Sequence, residues 1–225
     1  MNAVGEIERI TQNRIIKLFR EELGYRYLGN WEIRPNNSNI EEGLLRSYLI
    51  RRGYKGTAIN KALHELGKAA NNYHESLYNN NKNVYKLLRY GVQVKARVGE
   101  NYQTVQLIDW HHPEKNDFGI AEEVTVLGNK EKRPDIVLYV NGIAIAVLEL
   151  KRSTVSIGDG IRQSIVNQRK EFIESFFTTI QFIFAGNDTE GLRYGTIGTP
   201  EKFFLKWKED VEDHSRLQLD KYLIQ

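Results

Sequence analysis

Apolar positions along this chain change period at Gly91. Before it they recur every three to four residues; after it they alternate or run together, and helical spacing returns only later. Residues 6–23, EIERITQNRIIKLFREEL, place Ile7, Ile10, Ile15, Leu18 and Phe19 along one helical face, and Gly24 ends that helix. YRYLGNWEI is a short extended piece, followed by a turn at Pro35 and NNSN. Residues 40–90 read as three helices, IEEGLLRSYLIRRG, GTAINKALHELGKAAN and SLYNNNKNVYKLLRYG; the NNNKN tract at 79–83 leaves open a loop before a shorter third helix. VQVKARV alternates strictly and predicts a half-buried strand. TVQLIDW and IAEEVTVLG are strands on either side of the loop HHPEKNDF. RPDIVLYVNGIAIAVLELK, residues 133–151, is a β-hairpin about Asn141-Gly142. GDGIRQSIVNQRKEFIESFF regains helical period through Ile161, Ile165, Phe172 and Phe176. TIQFIFAG and LRYGTIG are strands, and PEKFFLKWKED is a helix with proline in its first turn. The sum is an α/β core, a mixed sheet flanked by helices, with an additional helical segment over about 36–90.

Composition narrows the chemistry. The 225 residues suit one large domain or two small ones, and the absence of a repeat or flexible linker favours a single unit over 1–225. No window of about 18 apolar residues exists to span a membrane. MNAVGEIERITQNR holds no apolar signal core, so a cytoplasmic location is expected. Cysteine is absent, which removes disulfides, thiolate nucleophiles and cysteine-type zinc sites and fits a reducing compartment. The net charge is only +3, so any basic face for nucleic acid must be local.

The hairpin carries the candidate chemistry. Glu149 and Lys151 are two apart on a predicted strand and share a face, about 6.6–7 Å apart along it. The preceding IAIAVL is apolar throughout, as in a strand buried on both sides. Charges at its end are costly unless they meet another charge, a metal or water. Asp135 opens the partner strand and reaches the same end. Two carboxylates and an ammonium suit metal-assisted phosphodiester hydrolysis: hard oxygen ligands for Mg²⁺, with Lys151 stabilising charge on the phosphate and the Leu150 carbonyl as a further ligand. The geometry imposes a test. Around a two-residue Asn141-Gly142 loop, the numbers of opposed residues sum to 283, which faces Asp135 with Leu148 and sends Glu149 to the other side. A shared face requires an odd loop or a bulge between 135 and 149.

Pro134-Asp135 with Glu149-Leu150-Lys151 resembles the signature of the PD-(D/E)xK nuclease superfamily. More narrowly, ERITQNRIIKLFREELGY, IDWHHPEKNDFGI, RPDIVLYVNGIAIAVLELK and IRQSIVNQRKEF together resemble the N-terminal nuclease region of type I restriction enzyme R subunits. The resemblance implies a restriction-endonuclease-like fold that cuts double-stranded DNA. In that reading Asp135 and Glu149 are the metal ligands, Lys151 is the catalytic lysine, and Mg²⁺ is the cofactor, replaceable by Mn²⁺. It implies modification and specificity subunits as partners, and a longer parent chain whose translocase domains use ATP. No G-x-x-x-x-G-K-[ST] loop occurs in these residues, so ATP binding is expected elsewhere. The family's Gln-x-x-x-Tyr element aligns with Gln168 to Phe172; the phenol is missing, which leaves Gln168 near the DNA as the surviving expectation. Some members add an acid from the first helix, for which Glu8 is the candidate, with Glu6 and Glu21 as rivals.

Arg152, Arg162 and Arg169 are the candidate phosphate contacts, ahead of Arg133 and Lys170. His111-His112 point in opposite directions on an extended segment and suggest no metal site. Asp109 and Asn116 read as residues that order their loop. Two other functions stay open on sequence alone: a free-standing nuclease or resolvase-like dimer, and a non-catalytic DNA- or subunit-docking module with structural acids.

Overall fold

In the computed structural model, residues 3–95, 101–206 and 218–224 are described, with side chains of the first helix described from Arg9 onward. That helix, α1 (Ala3–Glu21), buries Ile15, Ile16, Leu18 and Phe19, and Gly24 at φ 71° turns the chain after it. Ile10, expected on the same face, points to solvent. β1 (Arg26–Asn30) follows, and then the three expected helices, α2 (Glu42–Arg51), α3 (Gly56–Ala70) and α4 (Leu77–Tyr90). The NNNKN tract is helical because Ser76 caps α4 ahead of it, accepting the Asn79 N–H.

The strands are shorter than their alternation suggests. β2 (Val92–Val94) pairs with β3 (Gln103–Val105) apart from the main sheet, while residues 96–98 of the expected strand lie outside the described set. β4 (Phe118–Glu122), β5 (Ile136–Val140), β6 (Ile143–Leu150), α5 (Ile157–Asn167), β7 (Phe182–Asn187), β8 (Gly191–Gly195), β9 (Leu205–Lys206) and α6 (Gln218–Leu223) complete the fold. The helix expected over PEKFFLKWKED is instead one 3₁₀ turn, Glu201–Phe203, running into β9, with 207–217 outside the described residues. Backbone pairing of Tyr194 with Leu205 overrides the local helical pattern there.

The main sheet has the order β1-β4-β5-β6-β7-β8-β9, parallel at β1–β4 and β6–β7 and antiparallel elsewhere. One face, with Val137, Tyr139, Val147 and Ala185, packs on α5, Trp31 and the 3₁₀ segment Glu174–Thr178. The other, with Ile120, Ile136, Leu148 and Leu150, packs on α1 and Leu219 of α6. α2, α3 and α4 build a third apolar cluster with β2 and β3.

The β5–β6 hairpin changes register partway. Asn141 and Gly142 sit at φ 54° and 86°, the left-handed pair of a two-residue hairpin turn. Val140 opposes Ile143 and Tyr139 opposes Ala144, as such a turn requires. Leu138 then opposes Ala146, so Ile145 is an extra residue and every later pair is shifted by one. Groups outside the hairpin occupy the bulge: Gln181 N–H donates to the Ile145 carbonyl (2.7 Å), and Thr179 Oγ1 to the Ala144 carbonyl (2.7 Å). The turn itself is clamped. Asn141, fully buried, donates to the Leu107 carbonyl and to Asn116 Oδ1, and accepts from Asp117 N–H. Asn116 also holds Asp109 through both backbone groups, and Asp109 Oδ1 accepts from His111 and His112 N–H, so this block orders its loop as expected.

Gly142 has no room for a side chain, since an added Cβ would lie 2.7 Å from Leu44 Cβ and 2.8 Å from Leu45 N. Gly142→Ala is therefore expected to destabilise the fold by about 2–5 kcal/mol, through left-handed strain and the clash together. Urea unfolding measures this, and a loss below about 1 kcal/mol would show that the turn is not clamped.

Candidate active site

The bulge places Asp135 across from Glu149, because the shifted register runs Ile136–Leu148 and continues outward. Both acids share the α5 face with Val137 and Val147, while Ile136, Leu148 and Leu150 face α1. The shared face that the sequence required is present, produced by a bulge after a regular turn rather than by a longer loop. Asp135 Oδ2 accepts the Leu150 N–H at 2.7 Å, which ties the start of β5 to the end of β6. Lys151, two residues beyond Glu149, is half-buried, and its N–H donates to the Gly186 carbonyl on β7.

Glu149 is 1% exposed. Burial pushes its carboxyl well above the usual carboxylate range, Asp135 adds to the shift by its charge and by a hydrogen bond, and the Lys151 ammonium opposes it. Glu123 pushes in the same direction as Asp135. It stands just beyond β4 at φ 50°, donates its N–H to the Asp135 carbonyl (2.8 Å), and pairs with Arg133 Nε (2.8 Å). Glu123 escaped the sequence reading because the β4–β5 register was needed to set it beside Asp135.

Helix α5 closes over the acids. Ser156 caps it, and Gly158 and Gly160 lie in its first turn, as the GDG stretch suggested. A Cβ on Gly160 would be 3.5 Å from Glu149 Cβ and 3.5 Å from Lys151 Cγ, so the helix backbone lies directly on the site. One turn on, Gln163 donates from Nε2 to Glu149 Oε2 at 2.7 Å. Gln163 was also missed by sequence reasoning, although a glycine and a glutamine three apart on the helix after Lys151 are a usable signal. Gln168, the expected glutamine, is placed differently. α5 ends at Asn167, so residues 168 and 172 do not share a helix face. The Gln168 amide is taken up by the Ser164 carbonyl and the Gly198 N–H, and Phe172 sits under Lys130 and Lys132.

From the other face, α1 braces the strand ends. Arg9 and Gln12 bind buried Glu122 at 2.9 and 3.0 Å, and Tyr27 donates to it at 2.5 Å. Burial and the Glu122 carboxylate push the Tyr27 phenol up to about 12. The Glu8 and Glu6 side chains lie outside the described residues, and Glu21 pairs with Lys17 on the exposed surface. Of the expected phosphate contacts, Arg162 pairs with Asp159 and Glu201 on the surface, Arg152 is half-buried and Arg169 is exposed. Among the described residues no three His, Asp or Glu side chains surround one point. A cation here would take the two carboxylates and complete its shell with the Leu150 carbonyl and water.

Comparison with known proteins agrees with the architecture. A family model described as type I restriction enzyme R protein N terminus matches residues 7–202. A putative type I restriction enzyme MjaIXP endonuclease subunit from Methanocaldococcus jannaschii is 23% identical over 95% of this chain and 22% of its own length. The putative MjaVIIIP endonuclease subunit of the same organism is 32% identical over 53% of the chain and 12% of its own. The HindI endonuclease subunit of Haemophilus influenzae is 28% identical over 62% and 14%. The chain thus spans less than a quarter of each of these relatives.

The raised Glu149 carboxyl has a signed consequence. Its proton is held more tightly folded than unfolded, so its stabilising share is full at low pH and is lost as pH rises through the folded-state value. In metal-free buffer at pH 8, Glu149→Gln is expected to melt about 2–4 °C above the wild type, with the gap closing at pH 5. Scanning calorimetry checks this; a gap independent of pH would contradict it.

Proposed function

Because the chain belongs to the type I restriction enzyme R protein N-terminus family, we propose that it is the metal-dependent nuclease unit of such an enzyme, hydrolysing phosphodiester bonds of duplex DNA. One observation carries the reading. A fully buried glutamate, an aspartate in contact with it and a lysine converge on one sheet face at the end of the β5–β6 hairpin. Two carboxylates packed against each other in a low-dielectric site resist joint ionisation, and a divalent cation removes that conflict. The donor set of Asp135, Glu149 and the Leu150 carbonyl is all oxygen, which fits Mg²⁺, with Mn²⁺ as a substitute.

Bound there, Mg²⁺ supplies charge neutralisation at the phosphate and a more acidic water. The chain's own groups do the rest. Asp135 is oriented by the Leu150 N–H, and Glu149 by Gln163, so neither carboxylate has to reorganise on binding. Lys151 sets a positive charge beside both and stabilises the negative charge that builds on the phosphate oxygens. Gln163 takes the glutamine role first assigned to Gln168. In keeping with the family, sequence choice would fall to separate modification and specificity subunits. ATP-driven movement along DNA would fall to parts of the protein beyond these residues.

Titration calorimetry of Mg²⁺ into the wild type and Asp135→Ala tests the site directly. Binding is expected in the wild type and lost in the variant; equal heats in both would favour a module whose acids are structural. Lys151→Ala should still bind Mg²⁺ while lowering cleavage in the assembled enzyme by about 100- to 1,000-fold, as for other single groups that stabilise transition-state charge.

A further inference from the structure

The basicity of the chain is concentrated in one place. From Ser76 to Gly99 there is no Asp or Glu and there are five Lys or Arg residues, so this stretch alone, at +5, exceeds the net +3 of the whole chain. Most of it is α4. Val84 and Leu88 bury one side of that helix, while Tyr78, Lys82, Tyr85, Lys86, Arg89 and Tyr90 are exposed on the other. Positions 78, 82, 85 and 89 fall at spacings of four, three and four, which makes a single stripe about 16 Å long. Exposure is high for the rings, 61% for Tyr78 and 69% for Tyr90.

Eight arginines elsewhere on the described surface behave differently, whereas Arg20, Arg26, Arg152, Arg169 and Arg193 meet no carboxylate among the described residues. Arg9, Arg14, Arg34, Arg46, Arg51, Arg52, Arg133 and Arg162 each meet a carboxylate. Lys82, Lys86 and Arg89 meet none among the described residues. The Arg89 guanidinium instead lies 5.2 Å from the centroid of the Trp110 ring, which is itself held at the helix end by a 2.8 Å bond to the Leu88 carbonyl. The helix is firmly seated: Asn81 Nδ2 donates to the Ile180 carbonyl at 2.7 Å, and also reaches those of Phe177 and Thr178. Those carbonyls lie just before β7, the strand beside β6, so α4 is tied to the segment that leads into β7.

We propose that the exposed Tyr-Lys-Arg stripe of α4 is a second DNA contact, a track for the phosphate backbone of duplex DNA outside the catalytic cleft. Unpaired cations supply the sequence-independent attraction, and tyrosine hydroxyls donate to phosphate oxygens. A stripe of this length follows several phosphates of one strand. The inference rests on the DNA reading above and extends it to a surface that does no chemistry.

The test is fluorescence anisotropy with the 225-residue chain and a 30-base-pair duplex over a series of salt concentrations, without Mg²⁺. Lys82→Glu/Lys86→Glu is expected to weaken binding by about 10-fold or more and to reduce the slope of log affinity against log salt by about 1.8, two phosphate contacts' worth. Lys82→Gln/Lys86→Gln should move both in the same direction by less. Affinity and slope unchanged in both lysine variants, each with a wild-type melting temperature, would overturn the track and leave the nuclease reading standing. A wild type that binds no duplex even at low salt would overturn both. Weaker binding of single-stranded than duplex DNA by the wild type supports the track, whereas preferential single-strand binding would overturn its assignment to duplex.

Discussion

The candidate site depends on one extra residue. With Ile145 bulged, the outer half of the β5–β6 hairpin is shifted by one position, and Asp135 and Glu149 share the α5 face. Without it, Asp135 would keep its place beside β5 while Glu149 turned toward α1. Because side chains alternate strictly along a strand, no gradual adjustment exists between these arrangements. The bulge is secured from both sides. Asn141 and Gly142 are gripped by the Leu107–Asp117 segment and by the start of α2, and the unpaired carbonyls at 144 and 145 are satisfied by Thr179 and Gln181. A surface turn would have no need of so many partners.

The surrounding charges follow from that placement. Glu149 is buried beside a second carboxylate, with Glu123 nearby, and Lys151 is the cation on the same face. Arg133 is drawn to Glu123, and Arg9 to Glu122 on the far side of the sheet. The strand ends are thereby braced by ion pairs on either side of Asp135 and Glu149. Gly160 seats the first turn of α5 beside Glu149 and Lys151, and Gln163 one turn on reaches Glu149, which narrows the site on that side.

The reading of the sequence succeeded where local pattern and burial coincide. α1, α3 and α4 have apolar stripes at helical spacing, and β5 and β6 are apolar runs about an Asn-Gly pair, so each was visible before any contact was known. It failed where pairing or packing overrode pattern. PEKFFLKWKED suggested a helix, but only Glu201–Phe203 makes a 3₁₀ turn before Leu205 and Lys206 are recruited as β9 at the sheet edge. Gln168 looked helical and active because its neighbours continued the period of α5; the helix stops at Asn167, and the glutamine that reaches the acids lies a turn and a half earlier.

By itself the sequence determined the chemical inventory: an acid before β5, an acid and a lysine ending β6, no cysteine, and a cluster of cations without acids between 76 and 99. It also determined that a register shift was needed for the acids to meet, since that follows from counting along two strands. Only the tertiary structure decided how the shift is made and held, that Glu123 stands beside Asp135, and that Gln163 rather than Gln168 faces Glu149. The physical reason is that side-chain direction is a local property of each strand or helix, whereas register and helix approach are set by hydrogen-bond partners and glycine contacts far away in the chain.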